Sequence, residues 1–168
     1  VKAAGPIAFA SASIPMPVGD PLNISLVGVE PGQPGEPPVV MGEGLARRSG
    51  DEAIIDRTVA AMTGLRPGDT LVVRTIQEDA ERFYALRLSG LSDSRKYSLR
   101  PSVFVPQATW DAIRPRAMLG TSLGELPTNV VAIRLNDPAQ IESMRRYIES
   151  QVSSVQVVHR VTAYRNTP

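Results

Sequence analysis

His159 is the one histidine in the chain and there is no cysteine, so disulfides, thiolate metal sites and a cysteine nucleophile are excluded. A histidine-cluster metal site is excluded too, and any serine-histidine-acid triad would have to use His159. The residues around it point elsewhere. Val155, Val157, His159, Val161 and Ala163 alternate with Gln156, Val158, Arg160, Thr162 and Tyr164, which predicts a strand with the imidazole among small apolar neighbours. No glycine-flanked serine elbow occurs in the chain, so a structural histidine is expected and a hydrolase stands last among the readings.

The other chemistry-bearing residues have structural readings as well. Asp51, Glu52 and Asp56 are closely spaced acids, yet a hard cation needs several convergent oxygens and Asp56 stands where a helix N-cap belongs. Gly64 and Gly68 make no phosphate cradle, because a P-loop runs strand, GxxxxGK(S/T), helix, whereas here the helix comes first and no lysine follows. Asp69, after Pro67-Gly68, is expected to accept hydrogen bonds within its own turn. Arg95, Lys96 and Arg100, with Tyr97, form a short basic stretch in a chain of net charge +1 and 5% aromatic residues, which is too little for a nucleic-acid surface. No catalytic, cofactor-binding or metal-ligating residue is assigned, and no cofactor is expected. Contact chemistry remains. Met118 and Leu119 are apolar in a stretch with no periodicity to bury them, and such residues mark interaction surfaces. Trp110 is a further contact candidate, although with Ile113 it also has the spacing to pack a short helix; Met16 and Met41 are apolar residues of the same exposed class.

The elements that must position these residues are legible from periodicity. Asp56 to Leu71 reads as a capped helix, a Gly64 stop, a Pro67-Gly68 turn and the start of a strand. Residues 53–55 form a short strand before that helix. Residues 70–76 alternate Leu71, Val73 and Thr75 against Val72, Arg74 and Ile76. Residues 83–91 place Tyr84, Leu86 and Leu88 on one face. Between these two strands, residues 77–82 read as a six-residue polar loop, long for a tight hairpin. Residues 22–30 form a strand, and residues 31–38, with four prolines and two glycines, form a surface loop at which a subdomain boundary is placed. In residues 1–18, Pro6, Pro15 and Pro17 allow at most a short edge strand over 7–12. Residues 129–135 put Val131, Ile133 and Leu135 on one strand face. Asp137-Pro138 then caps a helix of about four turns whose stripe is Ile141, Met144 and Ile148, with Tyr147 beside it.

The simplest architecture is α+β. Residues 1–32 and 126–168 together make an α+β subdomain, into which residues 33–125 are inserted as a β-rich one. A chain of 168 residues with 42% hydrophobic and 21% charged composition buries roughly 70% of its unfolded surface, so it needs no staples. No run approaches the roughly 18 apolar residues of a membrane span, and the chain taken alone is expected to be soluble.

Five fragments, in order over roughly residues 22 to 135, resemble the extracytoplasmic core domain of MacB/FtsX-type ABC-transporter permeases. They are Leu26-Val27-Gly28-Val29-Glu30-Pro31, Gly42-Glu43-Gly44, the Asp56-to-Thr70 block, Leu88-Ser89-Gly90-Leu91 and Val103-Phe104-Val105-Pro106. One departure is Leu45 where the family usually has Arg. The resemblance implies a MacB-like periplasmic core, tethered on the extracytoplasmic face of the plasma membrane by helices outside this sequence. It implies no enzymatic activity here, ATP hydrolysis lying on a separate cytoplasmic ATP-binding subunit. It further implies mechanotransmission, the relay of conformational change to an extracytoplasmic adaptor, lipoprotein or cell-wall hydrolase, in a dimeric permease. The competing reading is a free-standing β-rich ligand- or partner-binding module resembling a double-psi barrel, where G-L-x-P-G-D turns also occur.

Overall fold

In the computed structural model, residues 1–46, 50–93, 100–116 and 129–159 are described. They fall into two compact units, one of Ala4–Ala132 and one of Val1–Ala3 with Ile133 onward. Among the described residues eight strands form one sheet: seven run in the order β2-β7-β4-β6-β5-β1-β8, β3 pairs with β6 off that path, and β1 also pairs with β2, so six of them close into a ring.

β1 (Ala3–Ile14) and β2 (Leu22–Val29) form an antiparallel pair from Ile7↔Val29 to Ile14↔Leu22. β2 reads as an almost unbroken apolar run because both its faces are buried, Leu22, Ile24 and Leu26 in one cluster and Val27 and Val29 in another; it lies between β1 and the parallel strand β7 (Ser102–Pro106), all five residues of which are buried. β4 (Glu52–Asp56) lies between β7 and β6 (Ala80–Ser92), antiparallel to the first and parallel to the second. β5 (Thr70–Gln77) pairs with β6 along its whole length, and Ser13 of β1 opposite Arg74 closes the ring.

This pairing differs from the division expected at residue 32. β1 is no short edge strand: it runs for 12 residues with a neighbour on each side, and Pro6 lies just before its ladder with β2. The prolines suggested an edge, but Ile7, Ala8 and Ile14 are buried in the same two clusters as Ile24, Leu71 and Phe104, and burying them requires strands on either side. Both N-terminal strands therefore belong with the middle of the chain.

The second correction is the β5–β6 connection. Gln77 pairs with Ala80, so the turn is two residues, Glu78 (φ 52°) and Asp79 (φ 64°). Two consecutive positive φ values match the right-handed twist of the flanking strands. The sequence signal was masked because Asn-Gly or Asp-Gly ordinarily marks such a turn, and Glu-Asp does not. Each non-glycine residue in this region costs about 1–2 kcal/mol. The double variant Glu78→Asn/Asp79→Gly is therefore expected to raise the unfolding free energy by about 1–2 kcal/mol in a urea titration, with the m-value unchanged.

β3 (Val39–Gly42) pairs with the far end of β6, around the close approach of Gly42 and Gly90. A Cβ on Gly90 would meet the Glu43 carbonyl and one on Gly42 the Ser89 carbonyl; here the glycines are required by backbone proximity. Leu45, where the family's arginine was expected, is buried against Ile7, Val27, Val29 and Phe104.

In the other unit, Lys2 N–H donates to the Arg134 carbonyl (2.7 Å), joining the chain's first residues to β8 (Val130–Arg134). Asp137 Oδ1 accepts from Ala139 N–H and caps a 3-10 turn, Pro138–Gln140, which leads into α3 (Ile141–Gln151). On α3, Arg145 bonds to both Glu142 and Glu149 (3.1 Å each). The hydrogen bond to Glu142, then the charges of Glu142 and Glu149, hold its guanidinium above the ordinary arginine value, so arginine gives this triad no pH dependence while the protein is folded. On β8, Val131 and Ile133 share a face and are exposed, while Ala132, the last residue of the larger unit, packs on that unit's core. One expectation changes here. Residues 155–159 carry no strand, and the remainder of that expected strand, 160–163, lies outside the described residues.

Candidate interaction surface

The framework on which any contact surface rests is built by a few buried polar side chains. Asp56, 2% exposed, accepts from Val59 N–H through Oδ1 (2.8 Å) and from Ser102 N–H through Oδ2 (2.9 Å). One carboxylate thus caps α1 (Arg57–Thr63) and ties it to the start of β7. Gly64 ends the helix at φ 75° with its N–H on the Ala60 carbonyl, as its sequence position predicts. Asp69 Oδ2 accepts from Arg66 N–H (2.8 Å), closing the Pro-Gly turn. Glu52 accepts from Ala46 N–H, and Glu36 clips the proline-rich loop by accepting from Gly32 and Leu45 N–H. The carboxylates of Glu52, Asp56 and Asp69 thus serve the backbone.

Trp110 is 4% exposed. It sits on α2 (Gln107–Ile113), donates from Nε1 to the Leu26 carbonyl (3.1 Å), and stacks over Gly28, where an added Cβ would come within 2.7 Å of Trp110 Cβ and Cγ. Arg114 covers the ring at 5.4 Å from its centroid. Burial in the core corrects the contact reading for this residue, since a side chain with almost no exposed area offers a partner nothing to touch; the packing role of Trp110 with Ile113 is the one observed. Met118 and Leu119, together with Arg95, Lys96 and Tyr97, lie outside the described residues. Met16 packs against the core, Met41 is exposed, and Arg100 Nη1 reaches Ser11 Oγ (3.3 Å). His159 is exposed in a stretch without regular structure. Among the described residues no group of three or more His, Cys, Asp or Glu is placed to hold a metal ion.

The end of α2 is clamped to the β5–β6 hairpin by Gln77. Its Nε2 donates to the carbonyls of Ala112 (3.1 Å) and Arg114 (3.0 Å), and its Oε1 accepts from Tyr84 Oη (2.9 Å). Backbone bonds between Glu78 and Arg116 and between Arg116 and Ile76 complete the clamp. Sequence reasoning gave Gln77 no role, and nothing local marks it; the two carbonyls it binds at the end of α2 lie 35 and 37 residues away. Nearby on β5, Thr75 is 2% exposed and its hydroxyl has no partner among the described residues. Thr75→Val keeps the shape and removes that orphan, so the variant is expected to gain about 1 kcal/mol, read as a melting temperature about 2–4 °C higher by calorimetry.

Searches against family models and against curated proteins find no match. Among solved structures, the extracellular domain of the noncanonic ABC-type transporter YknZ from Gram-positive bacteria superposes with a TM-score of 0.54 at 16% identity, over 95% of this chain and 82% of that one. A domain of a putative permease protein from Porphyromonas gingivalis superposes at 0.50 and 12% identity, over 99% and 80%. The chain has the fold of a transporter's extracellular domain. The periplasmic region of MacB from Actinobacillus actinomycetemcomitans aligns more loosely, with a TM-score of 0.43 at 12% identity over 88% and 66%. The likeness in fold to transporter extracellular domains extends past both ends of the motif-bearing stretch, residues 22 to 135, and agrees with the resemblance those motifs carried. Among the described residues, no helix is long and apolar enough to cross a membrane.

Proposed function

We propose that this chain is a non-catalytic extracytoplasmic domain of an ABC-transporter permease that relays conformational change to a substrate or partner outside the membrane. The observation that carries the reading is the fold likeness to the YknZ extracellular domain over 95% of the chain. The joining of Lys2 to Arg134 supports it, because the chain's first residues and its C-terminal segment then share one unit, as a domain inserted between membrane helices requires. In this reading, an α+β part drawn from both chain ends carries the tethers, with the β-rich part inserted. A relay also needs stiff bodies that displace as units. Asp56, Gln77 and Trp110, each bonded across elements distant in sequence, give the larger unit that stiffness. ATP hydrolysis belongs to a cytoplasmic subunit, and the partner is an adaptor, a lipoprotein or a cell-wall hydrolase. Met118 and Leu119 remain proposed contact residues.

The closed ring of six strands is the observation that favours the second reading, a β-barrel-like binding module free of any membrane. One experiment separates the two: cell fractionation of the full-length gene product, with protease added to intact cells or spheroplasts. The expected result is a membrane-integrated protein whose domain is cut from outside and which co-purifies with a nucleotide-binding subunit. Recovery in the soluble fraction, with no such subunit, would sink the permease reading.

A further inference from the structure

β8 is loosely held, and the ring of six strands closes without it. Among the described residues its one neighbour is β1, and Val130, Val131 and Ile133 are 47%, 56% and 41% exposed, with Arg134 exposed as well. Only its small central residue, Ala132, packs on a core. β7, a strand of the same length, is buried at all five residues between two neighbours. A strand with so little buried apolar area and an exposed ladder opens locally at low cost. β1 does not depend on it, since β2 pairs with β1 from Ile7 to Ile14 and β5 meets it at Ser13.

Two fastenings hold β8 in place. At one end Lys2 N–H donates to the Arg134 carbonyl (2.7 Å). At the other, Asn129 brackets β1: its N–H donates to the Ile7 carbonyl (3.0 Å) and its Oδ1 accepts from Phe9 N–H (2.8 Å). Partners that advance along β1 from Lys2 to Ile7 retreat from Arg134 to Asn129, the sense of an antiparallel ladder. The chain's first residue and the residues that follow β8 therefore leave the ladder at the same end. Drawing them apart loads the Lys2–Arg134 bond first and the others in succession, as a zip opens, and the doubly bonded Asn129 comes last. We propose that β8 is a detachable strand: it leaves β1 as a unit while the six-strand ring stays closed, and Asn129 is the latch that sets how often it does so. Its use as the moving joint of the relay rests on the permease reading above, whereas the detachment itself rests on packing and hydrogen bonds alone.

Hydrogen exchange of the intact 168-residue chain, read segment by segment by mass spectrometry, is the test. Residues 130–134 are expected to exchange at least about tenfold faster than residues 102–105, through openings that leave the ring protected. Asn129→Ala takes the acceptor from Phe9 N–H and is expected to speed exchange at residues 130–134 by about two- to tenfold, the effect of one net hydrogen bond, with residues 102–105 unchanged. Asn129→Asp keeps an acceptor oxygen at that place and should exchange as the wild type does. Equal protection of the two segments in the wild type would overturn the inference, as would an Asn129→Ala variant that exchanges like wild type. So would an Asn129→Ala variant that fails to fold or loses protection in both segments together, because β8 would then be part of the cooperative ring. Exchange in the isolated chain reads the strand and cell fractionation reads the membrane assignment, so failure of the one is distinguishable from failure of the other.

Discussion

Trp110→Ala is expected to lower the unfolding free energy by about 3–5 kcal/mol, the range for emptying a large aromatic site. Two features place the effect at the upper end. The indole fills the space left by Gly28, which has no side chain to relax into the hole, and its Nε1–H is the bond that ties α2 to the Leu26 carbonyl of β2. Trp110→Phe keeps most of the volume and loses the bond, so it should cost about 1–2 kcal/mol. Denaturant titrations followed by circular dichroism measure both, and an alanine variant within 1 kcal/mol of wild type would show that the ring is not the keystone of α2. The converse change, Gly28→Ala, drives a methyl into the same ring and is expected to destabilise by about 1–3 kcal/mol.

Asp56→Ala should cost about 2–4 kcal/mol, because a single carboxylate serves two structures. Loss of the cap alone costs about 1 kcal/mol, and stripping the acceptor from the buried Ser102 N–H adds about 1–3 kcal/mol. Asn is the informative comparison. It can still accept from Val59 N–H through Oδ1, but its amide turns a donor toward Ser102 N–H, where Oδ2 now accepts. Asp56→Asn is therefore expected to keep α1 helical while loosening β7, seen as faster amide exchange at residues 102–105 with little change at 59–62. Equal loss of protection in both segments would mean that the two hydrogen bonds are not separable.

The local signals held where the causes were local. Asp56, Gly64, Pro67 and Asp69 each act within a few residues of themselves, through a cap, a left-handed stop and a turn closed by its own side chain, so their roles follow from residue type and spacing. The same is true of the inward faces of β5 and β6, where period-two alternation names the buried residues directly. The contact reading of Trp110 did not survive, because a tryptophan on a short amphipathic helix fits either a surface or a core, and only the glycine across from it decides. His159 is exposed where alternation had set it among apolar neighbours, since alternation shows which residues can share a face and says nothing of whether a partner strand is there. The two-residue turn was hidden by residues that pay a conformational penalty to adopt it.

By itself, the amino-acid sequence determined the caps and turn from Asp56 to Asp69, the inward faces of β5 and β6, the lack of cysteine chemistry, and a motif order resembling one family of extracytoplasmic domains. Tertiary structure alone decided which strands pair. It placed β1 and β2 in the ring, gave Gln77 its partners beyond residue 110 and buried Trp110 over Gly28. The physical reason is that strand pairing and core contacts join residues dozens of positions apart, whereas periodicity and capping report only on neighbours along the chain.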